Sequence, residues 1–184
     1  LDPADADTGL GVVAVPEVAE GLGVDTLSDL ARALSDLEEG VVVCVSSQRR
    51  QLDPDGLAAL ADAADLRIRP RVVSPVPDTE LFALAEEGIF CPFTLVERLD
   101  PRLTDTDLEF LEDDLGAFVA QQPAVTVRAD TFALAPGLED LFEPVAAALD
   151  TDTLRALVGE AADDGGDPRT VARDWLVAEG LATT

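Results

Sequence analysis

Histidine, lysine, tyrosine and methionine are absent from this 184-residue chain, tryptophan occurs once and cysteine twice. Each absence excludes something. Without histidine, general acid–base chemistry falls to carboxylates, thiols or arginine-paired groups, and two cysteines alone cannot complete a zinc site. Without lysine, and with twelve arginines against 38 acidic residues, there is no clustered basic surface for a phosphate backbone, which excludes nucleic-acid binding. No apolar run approaches the roughly 20 residues that cross a bilayer. Also missing are a GxxxxGK phosphate loop, a GxGxxG opening a helix, a GxSxG elbow and EF-hand spacing in Asp163–Asp167. Gly9 and Gly11 precede a strand, Ser46 and Ser47 have no base nearby, and the Glu112–Asp114 run reads as a solvated turn. With no credible set of catalytic players and no cofactor motif, the chain is expected to be a binding protein and not an enzyme.

What is present begins with charge. The formal net charge is −26, while 47% of the residues are hydrophobic, enough for a packed core. Such self-repulsion opposes a compact state in dilute buffer. At molar salt the Debye length falls to roughly 3 Å and most of that repulsion is screened. A lysine-free acidic surface spread along the whole chain therefore reads as adaptation to concentrated salt; an acidic protein made for a basic partner would gather its acids in a block. Cys44 and Cys91 lie in strand-like apolar runs. They are either two buried free thiols or a disulfide between neighbouring strands, and a disulfide would favour an extracellular setting.

Periodicity places strands at Gly11–Val15, Val41–Val45, Arg71–Ser74, Ile89–Thr94, Asp107–Leu111 and Val125–Arg128. Helices are expected from Pro16 to Gly21, from the Thr26/Asp29 capping box to Gly40, from Asp53-Pro54 to about Ala64, and from an Asp78 cap to Gly88. Further helices are expected at about Gly137–Ala148, Thr151–Ala162 and Pro168–Glu179. Alternating strands and helices predict an α/β fold with a mostly parallel sheet flanked by helices, followed by C-terminal helices. In open sheets of this kind, ligands settle outside the carboxyl ends of the strands. The loops there carry Thr8, Arg49 and Arg50, and Thr94. Two adjacent arginines could clamp a carboxylate through bidentate pairs, or could simply pair with surface aspartates.

Several stretches resemble one family. LEDLFEPVAAALDTDTLRALVGEAADDGGDPRTVARDWLVAEGL (138–181) resembles the closing helices of substrate-binding proteins of ABC importers of the glycine betaine, choline and osmoprotectant type. DLEFLEDD (107–114) resembles their returning strand, VRADTFALAPGL (127–138) the element after it, and VVAVPEVAEGLGVDTLSDLA (12–31) the entrance to their second lobe. The resemblance implies a periplasmic-binding-protein-like (type II) fold in which two α/β lobes close on a solute. It implies a second lobe at residues 1–114, and a hinge return with the C-terminal part of the first lobe at residues 115–184. The rest of the first lobe is expected to be absent, and a start at Leu1 in place of Met reads as a processed or truncated piece. It further implies permease and ATPase subunits as partners, the extracellular face of the membrane as location, and a carboxylate-binding arginine at Arg49 or Arg50. Departures accompany it. A quaternary ammonium is gripped by cation–π attraction in an aromatic cage. Here the one tryptophan, Trp175, lies on the last helix, leaving Phe93, next to Thr94, as a candidate wall together with Phe90. The family's threonine-aspartate-glycine loop is not intact around Thr94. A stand-alone cytoplasmic sensor or interaction domain of the same fold is the other reading.

Overall fold

The computed structural model describes residues 1–36, 42–48, 73–163 and 166–183. They form two compact units. A sheet unit comprises Gly9–Glu97 and Asp105–Val119, and a helical unit comprises Leu1–Thr8, Arg98–Thr104 and Ala120–Thr184. The division differs from the expected boundary at residue 114: the N-terminal eight residues and the 98–104 segment belong with the C-terminal helices, because their hydrogen bonds go there. Ala4 N donates to Pro123 O and Ala6 N to Leu149 O.

The sheet unit contains β1 (Leu10–Ala14), α1 (Pro16–Leu22), α2 (Leu27–Asp36), β2 (Val43–Ser46), β3 (Val73–Val76), α3 (Asp78–Glu87), β4 (Phe93–Glu97) and β5 (Glu109–Phe110). Its strands are ordered β3-β2-β4-β1-β5. The expectation of a mostly parallel sheet needs qualification. β2 pairs in parallel with β3 and β4, whereas β1 is antiparallel to both β4 and β5. One strand, β1, thus runs against the other four and sits inside the sheet. Its apolar run LGVVA is buried along almost its whole length, as a strand covered on both faces requires. Pro75 lies in β3, which among the described residues pairs with β2 alone, so the missing N–H falls at the end of the described sheet, where a ladder tolerates it.

Side chains alternate between the two faces. Val12, Ala14, Val43, Val45, Phe93 and Leu95 join Leu27 and Leu30 of α2 in one core cluster. Val13, Cys44, Thr94 and Val96 have the opposite parity and are also buried. There α3, which packs on β2 and β4, buries Leu81, Phe82 and Ala85. The α3 C-terminus needs glycine. Gly88 has φ +63°, and a Cβ there would come within 3.2 Å of the Val15 and Val18 methyl groups.

Cys44 and Cys91, both buried, are joined in a disulfide, which replaces the reading as two free thiols. Cys91 precedes β4, so the bridge is strand to loop. It anchors a turn in which Ile89 and Phe90 are exposed, and β4 begins at Phe93, later than the expected Ile89. β5 is likewise shorter than Asp107–Leu111.

Helix starts follow the sequence closely. Thr26 and Asp29 form a reciprocal capping box: Asp29 N donates to Thr26 Oγ1 at 3.1 Å and Thr26 N to Asp29 Oδ2 at 3.3 Å. The α3 start differs, because Asp78 is its first helical residue and Pro77 occupies the cap position without a side-chain bond. The helical unit holds α4 (Ala129–Leu134), α5 (Leu138–Ala148), α6 (Thr151–Ala162) and α7 (Pro168–Ala178). Asp150 caps α6 by accepting from Thr153 N at 2.8 Å, and Asp167 caps α7 by accepting from Thr170 N at 3.1 Å. The expected strand at Val125–Arg128 is not formed. That segment has strand-forming residues but no neighbouring strand among the described residues, and it runs directly into α4.

These caps carry a pH dependence. The Thr153 N–H holds the Asp150 carboxyl below its ordinary value, and the Thr170 hydroxyl, with backbone N–H groups, does so for Asp167. A carboxylate whose folded pKa is depressed stabilises the fold fully above its unfolded pKa, and that stability is lost as pH falls through the folded value. At high salt, the Asp150→Asn/Asp167→Asn protein is expected to match the parent at pH 7, since asparagine caps as well as aspartate. Below the ordinary carboxylate value of 3.8 it should lose less stability than the parent. Parallel thermal melts at pH 7 and pH 3 check this, and an identical acid loss in both proteins would count against the cap assignment.

Candidate functional site

The site is sought where the parallel strands end. At that edge of the sheet unit, β2 ends on Ser46, whose side chain is buried, and Ser47 N donates to Val76 O of β3 at 2.8 Å. Beside them β4 ends on Glu97, which is paired with Leu10 at the start of β1. The chain therefore passes this edge at Gly9–Leu10, Ser46–Ser47, Val76–Pro77 and Glu97. Because β1 is reversed, the loop before it arrives at the same edge that the parallel strands leave. Ser46 and Ser47, which have no catalytic base in sequence, occupy a structural place here, and no pattern in the sequence singles them out for that role.

Of the five residues singled out in the sequence, three are described: Thr8 in the helical unit, and Phe93 and Thr94 in the sheet unit. Arg49 and Arg50 follow β2 by three and four residues and lie outside the described residues. Thr8 belongs to the helical unit, where its hydroxyl donates to Gln121 O at 2.9 Å. Phe93 is completely buried in the core cluster, while Phe90 is exposed. Their different fates follow from the disulfide and the late start of β4: Phe93 is the first strand residue and points inward, and Phe90 is in the turn. Thr94 lies within β4 and not in a loop after it, opposite Val13 and Cys44.

The Thr94 hydroxyl is buried and has no hydrogen-bond partner among the described residues. An unsatisfied hydroxyl in an apolar layer costs stability. Thr94→Val is expected to raise the unfolding free energy by about 1 kcal/mol. Chemical denaturation checks this; a lower unfolding free energy in the variant would mean that the hydroxyl contributes to the fold.

Acidic residues near the sheet serve the backbone. Asp113 accepts from Ala117 N and Phe118 N, both at 2.9 Å, and Asp114 accepts from Ser28 N at 3.0 Å. The Ser28 hydroxyl and N–H hold the Asp114 carboxyl below its ordinary value. Another concave surface of the sheet unit is lined by Glu17, Glu86, Asp107 and Glu109. Among the described residues, no group of acids and cysteines is disposed to hold a metal ion, and no helix is long and apolar enough to cross a membrane.

A five-stranded sheet with one reversed inner strand, covered by helices, is the fold of periplasmic-binding-protein-like substrate-binding proteins of ABC importers. Apo YehZ from Escherichia coli superposes with a TM-score of 0.72 at 24% identity, covering 99% of this chain and 66% of that one. A structure titled glycine betaine/carnitine/choline ABC transporter gives 0.76 at 19% identity, covering 98% and 63%. Residues 1–178 match the family described as the substrate binding domain of ABC-type glycine betaine transport system, and the chain belongs to that family. A glycine-betaine-binding protein of Pseudomonas aeruginosa is 30% identical over 182 residues, 96% of this chain and 58% of that protein. The glycine betaine-binding protein YehZ of Escherichia coli K12 is 27% identical over 184 residues, 98% of this chain and 60% of that protein. The chain thus spans about three fifths of the length of these relatives.

Proposed function

We propose that this chain is the solute-gripping part of an importer's receptor, binding a small zwitterionic osmolyte of the glycine betaine type and delivering it to permease and ATPase subunits. The observation that carries the reading is the family match over residues 1–178; the names of the two glycine betaine-binding relatives support it. The buried Cys44–Cys91 disulfide supports a place outside the reducing cytoplasm, and an osmolyte receptor in brine needs the acidic surface found here. On this reading the protein binds and releases its solute without chemical change.

Arg49 and Arg50 are proposed as the carboxylate contacts. They follow Ser46 at the edge where the parallel strands end, and a guanidinium fork matches a carboxylate. The test compares two solutes sharing a quaternary ammonium, of which glycine betaine has a carboxylate and choline does not. In the full-length protein at high salt, Arg49→Ala/Arg50→Ala is expected to weaken glycine betaine binding by roughly 10-fold or more, the worth of a charged hydrogen bond. Choline binding should change far less. Calorimetric titration reads both. Equal affinity for glycine betaine in parent and variant would remove the arginines from the site, and no binding of either solute by the parent would remove the solute class.

A further inference from the structure

The chain passes between the two units at Thr8–Gly9, Glu97–Arg98, Thr104–Asp105 and Val119–Ala120. Within the helical unit, the ends of three of these crossings meet at one side chain. Asp7 precedes Thr8, and its Oδ1 accepts from Gln121 N at 3.0 Å, one residue beyond Ala120. Its Oδ2 lies 3.1 Å from Nε of Arg98, the residue at which the second crossing arrives. Thr8 adds to the same knot, its N–H and its hydroxyl both donating to Gln121 O at 2.9 Å.

The knot is itself fixed to the helices. Asp7 N donates to Thr151 Oγ1 at 2.9 Å in the first turn of α6, and Arg155 Nε of the same helix donates to Arg98 O at 2.7 Å. Arg155 is held in turn by Asp152 at 2.7 Å. The Asp7 and Arg98 side chains are 29% and 20% exposed, so the pair is partly shielded from water and salt in a way that surface pairs are not. Residues 7, 98 and 121 are far apart in sequence, and one carboxylate with two oxygens binds both of the others.

We propose that Asp7 is a positioning residue that gathers three of the four inter-unit crossings into one anchor on α6, so that they move together and not independently. Its role is to define where the connecting segments start. It touches no solute on this proposal, which holds whichever solute the protein binds.

Hydrogen exchange on the full-length protein at high salt tests it. Removing a carboxylate that accepts from Gln121 N and forms an ion pair with the Arg98 guanidinium should open the local structure by about tenfold or more. In Asp7→Ala, amide exchange is therefore expected to accelerate together at residues 5–8, 98–100 and 120–122, with amides of β1, β2 and β4 unchanged. Asp7→Asn keeps an oxygen for Gln121 N but loses the charge facing Arg98, so its acceleration should concentrate at 98–100. This milder variant carries the test if the alanine protein does not fold. A dye pair on Glu20→Cys and Arg169→Cys, one in each unit, should report a broader inter-unit distance distribution in Asp7→Ala. Acceleration confined to Gln121, uniform acceleration through the sheet strands, or an unchanged distance distribution would each overturn the proposal.

Discussion

Below about 0.1 M salt the protein is expected to unfold, and at 2 M salt to refold, with the Debye length changing from about 10 Å to under 3 Å between the two. The reason is the charge of −26 on 184 residues. Ion pairing does little to relieve it. Twelve arginines stand against 38 acids, and Arg32–Asp29, Arg98–Asp7, Arg102–Asp100 and Arg155–Asp152 are among the pairs formed. The more exposed of them, such as Arg32–Asp29, contribute little in any case. Trp175, half-buried in α7, reports the helical unit by fluorescence, and far-ultraviolet circular dichroism reports the whole chain. The same repulsion makes the acid response depend on salt. At 2 M salt, acidification removes the carboxylate caps and should only destabilise. In dilute buffer, lowering the pH toward the pI of about 4.1 also discharges the surface and should offset that loss. A melting midpoint that stays constant from 0.1 to 2 M salt would remove the high-salt reading.

Loss of the disulfide is expected to have the second largest effect. Cys44 and Cys91 are separated by 47 residues. By the chain-entropy relation a loop of that size corresponds to about 4 kcal/mol, and measured losses usually fall at about 2–5 kcal/mol. Against a total stability of about 5–15 kcal/mol for a domain, that is a large share. The Cys44→Ser/Cys91→Ser protein should therefore show a lower denaturant midpoint at high salt with an unchanged solute preference. Both sulfurs are shielded, with Cys44 0% and Cys91 2% exposed, so a reductant should reach the bond only as the sheet unit opens. Thiol trapping followed by mass measurement, with and without denaturant, distinguishes these cases. An equal midpoint in parent and variant would mean that the bridge contributes nothing to the fold.

Much of the architecture was legible before any coordinates. Local chemistry set the helix starts: Thr26 with Asp29, Pro16, and Asp167 before Pro168 all act within one turn, so a short stretch of sequence contains the whole interaction. The continuous β-branched runs of β1 and β2 marked strands buried on both faces, because burial on both faces removes the need for alternation. The family was legible only as a resemblance, carried chiefly by the residues of 138–181 and supported by the stretches at 12–31, 107–114 and 127–138. The net charge, a property of composition alone, determined the expected dependence on salt.

Other features were decided by tertiary structure. Periodicity is the same for parallel and antiparallel strands, so nothing local could reveal that β1 runs against its neighbours. Val125–Arg128 has strand-forming residues, but a strand needs a partner, and pairing is not local. The two cysteines could be free or bridged until the fold placed the end of the α3–β4 turn beside β2. That placement moved the start of β4 to Phe93, sending its ring into the core and leaving Phe90 outside. The meeting of Asp7, Arg98 and Gln121 is of the same kind: three residues with no local signal, joined because the chain crosses between its units several times. Sequence by itself determined what each segment is, since caps and apolar runs act over a turn or a strand. Only the tertiary structure decided which segments meet, because the closing of long loops depends on every contact formed around them.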